Sequence, residues 1–277
     1  DGRAGGMEVV RRETGGGSVL VDGDQWVFAF VVPRRAYPGR PTELYGRLLP
    51  AVQAAFAQFG LRVTRGGPND LWCEGHKIGG TGMATLGNAL VLVGSFLLRF
   101  DAARFAAAVN CPSATFRRFL AAGLGEVMAP WAAFGPLPPA TRLRHALRVG
   151  LVRELGWVVV PDGPTPEEWD AIAESRSELL DPDWRWEPQG RRAIAGGVKL
   201  KGDAFLTEDR IPGVGRVTVQ TEAGRIRRLA IEGMAAAATA AAVGEPPQGE
   251  GVGAILGREP AAAVAAVAVC SEEQGAR

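Results

Sequence analysis

Two short stretches of the sequence carry groups that could act together on an anionic substrate. The first is Arg11–Asp22, in which two arginines precede three successive glycines and a short apolar run. Backbone N–H groups in a glycine-rich turn can form a concavity that binds an anion, and the arginine guanidinium suits carboxylate and phosphate. The stretch therefore predicts an anionic ligand lying across the glycines. The same residues also fit an ordinary hairpin turn between two strands, Met7–Arg12 and Ser18–Val21.

The second stretch is Pro68–Gly80, where an amide, a carboxylate and an ammonium group lie close in sequence. A tight turn would fold Lys77 back beside the strand that begins at Asn69-Asp70. A carboxylate can hold magnesium, and an ammonium group can stabilise charge that develops on phosphate or carbonyl oxygen. Gly79-Gly80 leaves the strand without side chains, so a flat ligand can lie against its backbone. These residues predict a nucleotide-phosphate site.

Lysine is scarce in this chain, which gives Lys77 added weight. Of 31 lysines and arginines, only Lys77, Lys199 and Lys201 are lysines. Arginine's planar fork and lysine's compact charge are not interchangeable, so a retained lysine indicates a task that arginine cannot perform. A surface lysine on a solvated hairpin is the alternative explanation.

Composition excludes several classes of protein. The chain has 277 residues, is 47% hydrophobic and carries a formal net charge of +1, which predicts no nucleic-acid partner. Three scattered cysteines and two distant histidines form neither a disulfide framework nor a zinc motif, which favours a reducing compartment such as the cytoplasm. The longest apolar runs, 89–98 and 261–270, are half of the roughly 20 residues that a membrane-spanning helix needs. The sequence therefore predicts a cytoplasmic protein without a membrane partner.

The pattern of strands and helices that must position these groups predicts an α+β fold. Early strands are followed by an amphipathic helix at Thr42–Gly60, a hairpin that turns at Glu74-Gly75, and a long strand at Gly87–Phe100. Helices then follow, and a second strand-rich unit begins near Gly190. We place a catalytic domain at residues 1–160, a linker and helix at 161–189, and a small accessory domain at 190–277. The predicted later elements are helices at 102–108, 113–122, 142–155 and 166–180, and strands at 192–201, 204–207, 215–221 and 225–231. Ser113 and Thr141 are predicted helix caps, and Thr165 with Glu168 predicts a capping box for the helix at 166–180.

In these segments the chain resembles the lipoate–protein ligase A family of the biotin/lipoyl ligase superfamily. The resemblance runs in the family's order through RRETGGGSVLVD at 11–22, PNDLWCEGHKIGG at 68–80, GSFLLRFD at 94–101 and residues 156–169. It implies a mixed or antiparallel sheet flanked by helices, followed by a small α+β accessory domain. The family's first strands and helix would precede Asp1, so we expect the catalytic domain to be N-terminally incomplete here.

The resemblance also implies a two-step acyl transfer. Lipoate (or octanoate) and ATP with Mg2+ give lipoyl-adenylate and pyrophosphate, and a carrier lysine then attacks the mixed anhydride. The carrier would be a glycine cleavage H-type protein or a 2-oxoacid dehydrogenase E2-type lipoyl domain. The implied site residues are Lys77 as the catalytic lysine; Asn69, Asp70, Lys77, Gly79 and Gly80 for ATP and the adenylate; Asp70 for Mg2+; and Arg12, Thr14, Gly15, Gly16 and Gly17 for lipoate.

Alternative functions stay open. A cysteine-dependent octanoyl or lipoyl transferase of the same superfamily needs an accessible thiol of low pKa, and Cys73 is the candidate near Lys77. A biotin ligase fits less well, because the Arg11–Gly17 loop lacks a Gly-Arg-Gly-Arg pattern. A non-catalytic remnant or one chain of a split protein is the third alternative, since Val21 and Val93 stand where family members often have histidine.

Overall fold

The computed structural model describes residues 7–14, 17–67, 69–186 and 197–275, with the backbone alone for 269–275. Contacts divide the chain into two units. The first unit is formed by the described residues of Val9–Phe100 and Met128–Glu187, and the second by those of Asp1–Glu8, Asp101–Val127 and Pro188–Arg277. Within the described ranges, no helix is long and apolar enough to cross a membrane.

Nine strands and nine helices are described. The strands are β1 (Gln25–Pro33), β2 (Val63–Gly66), β3 (Asp70–Cys73), β4 (His76–Leu86), β5 (Ala89–Leu97), β6 (Gly197–Lys201), β7 (Ala204–Ile211), β8 (Gly215–Glu222) and β9 (Arg225–Ile231). The helices are α1 (Glu43–Ala57), α2 (Ala102–Ala108), α3 (Ala114–Val127), α4 (Ala140–Leu155), α5 (Pro166–Leu180), α6 (Pro182–Trp186), α7 (Ala236–Ala241), α8 (Glu250–Leu256) and α9 (Arg258–Gly275).

The first unit is an antiparallel sheet with helices on one face. Its strands lie in the order β1-β5-β4-β3-β2. The apolar stripe predicted for α1 is buried, because Leu44, Leu48, Val52 and Phe56 pack into the core that the sheet and α4 share. Helix α5 begins with the capping box that the sequence predicts, in which Thr165 and Glu168 each bond the other's backbone N–H.

The β3–β4 hairpin contains one extra residue. Asp70 pairs with Gly80 and Leu71 with Gly79, but Trp72 pairs with Lys77, so Ile78 forms a bulge on β4. Lys77 shares a face with Asp70 because it pairs with Trp72, two residues along β3. The one-residue shift brings Gly80, in place of Gly79, to the same face. The predicted turn at Glu74-Gly75 is confirmed, and both of its residues have the positive φ that a type I′ turn requires, 48° and 81°.

Two of the predicted strands are wrong. Neither Met7–Arg12 nor Ser18–Asp22 forms a strand, and no other described segment pairs with either of them. The side chains of Val19 and Val21 are 60% and 59% exposed. The hairpin explanation of the glycine stretch therefore fails. Gly15 and Gly16 lie outside the described residues.

The second unit is a four-stranded antiparallel sheet, β6-β7-β8-β9, with α7–α9 on its apolar face. A buried carboxylate joins α3 to it: Glu208 accepts hydrogen bonds from Ser113 Oγ and Thr218 Oγ1, both at 2.6 Å, and from Arg216 Nη1 at 3.0 Å. Ser113 also caps α3, as predicted, by accepting from Phe116 N. The contacts thus group residues 101–127 with the C-terminal sheet, whereas the sequence grouped them with the first; the domain boundaries at 160 and 190 stay a prediction.

Candidate functional site

Lys77 and Asp70 form an ion pair on neighbouring strands. Lys77 Nζ lies 2.7 Å from Asp70 Oδ1, and their side chains are 24% and 27% exposed. Lys77 lies opposite Trp72, two residues along β3 from Asp70, so the Lys77 and Asp70 side chains emerge on the same face. The bulge at Ile78 places Gly80, and not Gly79, opposite Asp70 on that face. The pair is therefore partly shielded and can still be reached by a ligand from solvent.

The two glycines that follow have different roles. A Cβ on Gly80 would lie 3.6 Å from Lys77 Nζ and 3.7 Å from Asp70 Oδ1, so the missing side chain leaves space beside the ion pair. A Cβ on Gly79 would instead lie 3.0 Å from the backbone oxygen of Ser95, inside the packed sheet. Gly80 faces the candidate site, and Gly79 permits close packing behind it.

Main-chain hydrogen bonds hold the backbone of Lys77 in place. On one side Lys77 pairs with Trp72 of β3. On the other side it forms a parallel bridge with Met128, and its carbonyl oxygen accepts from Ala129 N at 3.0 Å. A charge held in this way needs little reorganisation when charge develops on a bound substrate.

Asn69 is tied to Thr81, a residue that the sequence did not single out. The Asn69 carbonyl oxygen accepts from both Thr81 N and Thr81 Oγ1 at 2.9 Å, and Asn69 Nδ2 donates to Thr81 O at 3.2 Å. These three bonds fix the chain just before Asp70. The hairpin register places residues 69 and 81 opposite each other, and this register is the signal that could have identified Thr81.

Arg12 closes the glycine loop, defined here as Thr14–Gly17. Arg12 Nη1 donates to Thr14 Oγ1 at 2.9 Å, and Nη2 donates to Gly17 O at 2.8 Å, so one guanidinium joins the two ends of the loop. Arg12 also lies near Tyr45 of α1. Burial raises the pKa of the Tyr45 phenol, and the charge of Arg12 opposes that rise in part.

Arg11 has a different partner. Its guanidinium carbon lies 4.2 Å from the centre of the Trp184 ring, and Arg11 Nη1 donates to Trp184 O at 2.7 Å. The indole Nε1 of Trp184 donates back to Arg11 O at 3.3 Å. The two adjacent arginines look equivalent in the sequence, but Arg11 is directed to α6 and Arg12 to the glycine loop.

The chain that follows the glycine loop enters the first sheet at the end where β4 begins. β1 and β4 both pair antiparallel with β5, which lies between them, so the starts of β1 and β4 fall at one end. The segment after the glycine loop enters β1 there, where Gln25 Nε2 donates to Leu20 O and Gln25 Oε1 accepts from Ser95 Oγ at 3.1 Å. Because β5 lies between them, β1 and β4 are two interstrand distances apart, or about 10 Å.

Cys73 lacks the properties of a nucleophile. It is 2% exposed and packs in the core of the first unit. Burial raises the pKa of its thiol, and the charge of Glu74 raises it further. A reactive cysteine needs access and a lowered pKa, so this environment does not favour a cysteine-dependent transferase.

The described residues contain no group of three or more His, Cys, Asp or Glu side chains that could hold a metal ion. Mg2+ bound with a nucleotide usually takes one or two carboxylates and several phosphate or water oxygens. The single carboxylate of Asp70, which contacts Lys77 through Oδ1, fits that arrangement and does not form an all-protein metal cage.

Comparison with known proteins places this site in a recognisable fold. Residues 2–129 match the family model described as "Lipoyl protein ligase A/B catalytic domain". No curated protein sequence matches the chain.

Three solved structures resemble it at low sequence identity. A bi-partite lipoate protein ligase of an archaeal lipoylation system from Thermoplasma acidophilum is 23% identical, with 70% of this chain and 75% of that chain covered and a TM-score of 0.62. Lipoate-protein ligase A bound with ATP is 21% identical, with 66% and 73% covered and a TM-score of 0.56. A putative lipoate protein ligase from T. acidophilum with bound lipoic acid is 20% identical, with 68% and 75% covered and a TM-score of 0.55. These likenesses confirm the predicted α+β fold.

Proposed function

We propose that this protein is a lipoate–protein ligase, since its residues 2–129 match the family model of the lipoyl protein ligase A/B catalytic domain. It would activate lipoate with ATP and transfer the lipoyl group to a lysine of a lipoyl carrier domain. The observation that carries this function is the Lys77–Asp70 pair beside the open face of Gly80. Neighbours of the same fold bind ATP in one case and lipoic acid in another.

In the first step a lipoate carboxylate oxygen attacks the α-phosphorus of ATP. The new O–P bond forms as the bond to pyrophosphate breaks, and negative charge grows on the non-bridging phosphate oxygens. The ammonium of Lys77 is held where it can stabilise that charge. Mg2+ bound with the nucleotide would neutralise phosphate charge, and we assign Asp70 as the carboxylate that would hold it.

In the second step the neutral amine of a carrier lysine attacks the acyl carbonyl of lipoyl-adenylate. The C–N bond forms, the C–O bond to phosphate breaks, AMP leaves with the electron pair, and the amine loses a proton. Lys77 would sit between the carbonyl and phosphate oxygens, a position that suits a compact charge better than arginine's fork.

The glycine loop would hold the acyl substrate. Arg12 donates to Thr14 and Gly17 at the two ends of this loop, and backbone N–H groups of a glycine-rich stretch can bind an anionic group. We assign lipoate to Arg12 and Thr14–Gly17, and the adenylate to Asn69, Asp70, Lys77 and Gly80. Gly79 acts by permitting the sheet to pack.

One experiment tests the assignment. The purified chain is incubated with lipoate, ATP, Mg2+ and a lipoyl carrier domain, and the intact mass of the carrier is measured. We expect a gain of one lipoyl group that depends on ATP. A parallel arm supplies octanoyl-carrier without ATP, and transfer in that arm alone would overturn the ligase assignment in favour of the transferase.

Replacing Cys73 by alanine should leave ATP-dependent lipoylation within about twofold of the original rate, because the buried thiol is not in a nucleophilic state. The rate is measured from carrier mass against time, with the thermal unfolding midpoint as the control for folding. Loss of activity with an unchanged midpoint would support the thioester route.

A split ligase is the second candidate, favoured by one observation. β1 is the edge strand of the first sheet, and its Val27 and Val31 are 47% and 64% exposed. An exposed apolar edge strand can pair with another polypeptide. In that case the chain alone would bind lipoate and ATP, measured by calorimetry, and would not lipoylate the carrier.

A further inference from the structure

The segment that leads into the glycine loop is joined to α6 by reciprocal contacts between Arg11 and Trp184. These residues are 173 positions apart in sequence. The Arg11 guanidinium stacks on the indole and donates to the Trp184 carbonyl oxygen, while the indole N–H donates to the Arg11 carbonyl oxygen. The second of these bonds holds the main chain of Arg11 as well as its side chain.

Helix α6 presents Trp184 from a fixed position. Asp181 Oδ1 accepts from the backbone N–H groups of Asp183 at 2.7 Å and Trp184 at 3.3 Å, which caps the start of the helix. Arg185 Nη2 also donates back to Leu180 O at 3.2 Å. The Trp184 ring is therefore supported by its own local hydrogen bonds.

The glycine loop depends on such an anchor, because no described strand pairs with the chain on either side of it. Arg11 is held by Trp184, the next residue is Arg12, and the Arg12 guanidinium closes the loop through Thr14 and Gly17. A shift in the main chain at Arg11 would move the base of the Arg12 side chain. The loop geometry is thus connected to α6 through two adjacent arginines.

We propose that Trp184 is a positioning residue for the glycine loop. It touches none of the reacting atoms. It holds Arg11 so that the adjacent Arg12 keeps its hydrogen bonds to Thr14 and Gly17, the described ends of the loop that would bind the acyl substrate. The expected effect on lipoate binding rests on the proposed function. The expected effect on the order of the loop does not depend on that function. The expected consequence is weaker lipoate binding with little change at the nucleotide.

Kinetics of Trp184→Ala and Trp184→Phe test the role. We expect Trp184→Ala to raise the KM for lipoate about tenfold, with kcat and the KM for ATP within about threefold. Trp184→Phe keeps a stacking ring and loses the indole N–H, so its effect should be intermediate. The matched control is Trp169→Ala, which removes an exposed tryptophan from α5 and should change none of these parameters.

A double-mutant cycle with Arg11→Ala separates positioning from general damage. If the two side chains act as one unit, the double variant should be no worse than either single variant. Additive effects, or equal losses in kcat and in the KM values of both substrates, would overturn the role of Trp184.

Hydrogen exchange of the peptide that covers residues 9–22 gives a readout that does not require activity. Faster exchange in Trp184→Ala than in Trp169→Ala is expected, and equal exchange in the two variants would overturn the positioning role. Absence of lipoylation by the original chain would instead count against the proposed function, so the two failures can be told apart.

Discussion

Replacing Lys77 by alanine should reduce lipoate-dependent exchange of pyrophosphate into ATP by a factor on the order of 10³, because a fixed positive charge is lost where phosphate charge develops. The fold should survive, since the Lys77 and Asp70 side chains are both partly exposed and water can hydrate the carboxylate that remains. Exchange is measured with labelled pyrophosphate, and folding by the thermal unfolding midpoint.

Two further variants show whether the position and the shape of this charge matter. Lys199→Ala removes a lysine from an exposed position on β6 and should leave exchange unchanged. Lys77→Arg keeps the charge but replaces a compact ammonium by a planar fork, so we expect it to remain severely impaired. Substantial exchange in a well-folded Lys77→Ala variant would refute the catalytic role.

Replacing Gly150 by alanine should lower the free energy of unfolding by about 3 kcal/mol or more, because the added methyl has no space. Gly150 of α4 lies against α1, and its Cβ would be 2.3 Å from Ala51 O and 3.1 Å from the carbonyl carbon. These are backbone atoms of a buried helix, so the two helices must separate. Urea denaturation of the two proteins measures the change.

Gly46→Ala is the matched control for this change. Gly46 also lies in a helix of this pair, α1, and its Cβ would meet only the end of the Arg65 side chain, at 3.5 Å. Alanine has the higher helix propensity, so we expect a gain of about 0.5–1 kcal/mol. Similar destabilisation in both variants would show that the close approach at Ala51 is not the cause.

The sequence predicted those features that depend on short-range contacts. The hairpin at Glu74-Gly75 brings Lys77 to Asp70 within a few residues of chain, and the cap of α5 at Thr165 is local as well. Each follows from backbone geometry and hydrogen bonding that a few neighbouring residues determine. For this reason the centre of the candidate site could be identified before the fold was known.

Features that depend on distant partners could not be predicted in this way. Arg11 and Arg12 look alike until Trp184 is placed beside one of them. The valines of Ser18–Asp22 suggested a strand, but a strand needs a neighbour, and the described chain supplies none there. The buried Glu208, which joins α3 to the second sheet, likewise depends on side chains from two other segments, Ser113 before α3 and Arg216 and Thr218 on β8.

The extra residue at Ile78 determines which glycine lies beside the ion pair. If β3 and β4 paired regularly from the same turn, Gly79 would lie opposite Asp70 and Gly80 would turn to the other surface, while Lys77 would keep its place opposite Trp72. Descendants of this sequence should therefore keep glycine at position 80 for as long as they keep the bulge, even where a larger residue there would still allow the protein to fold.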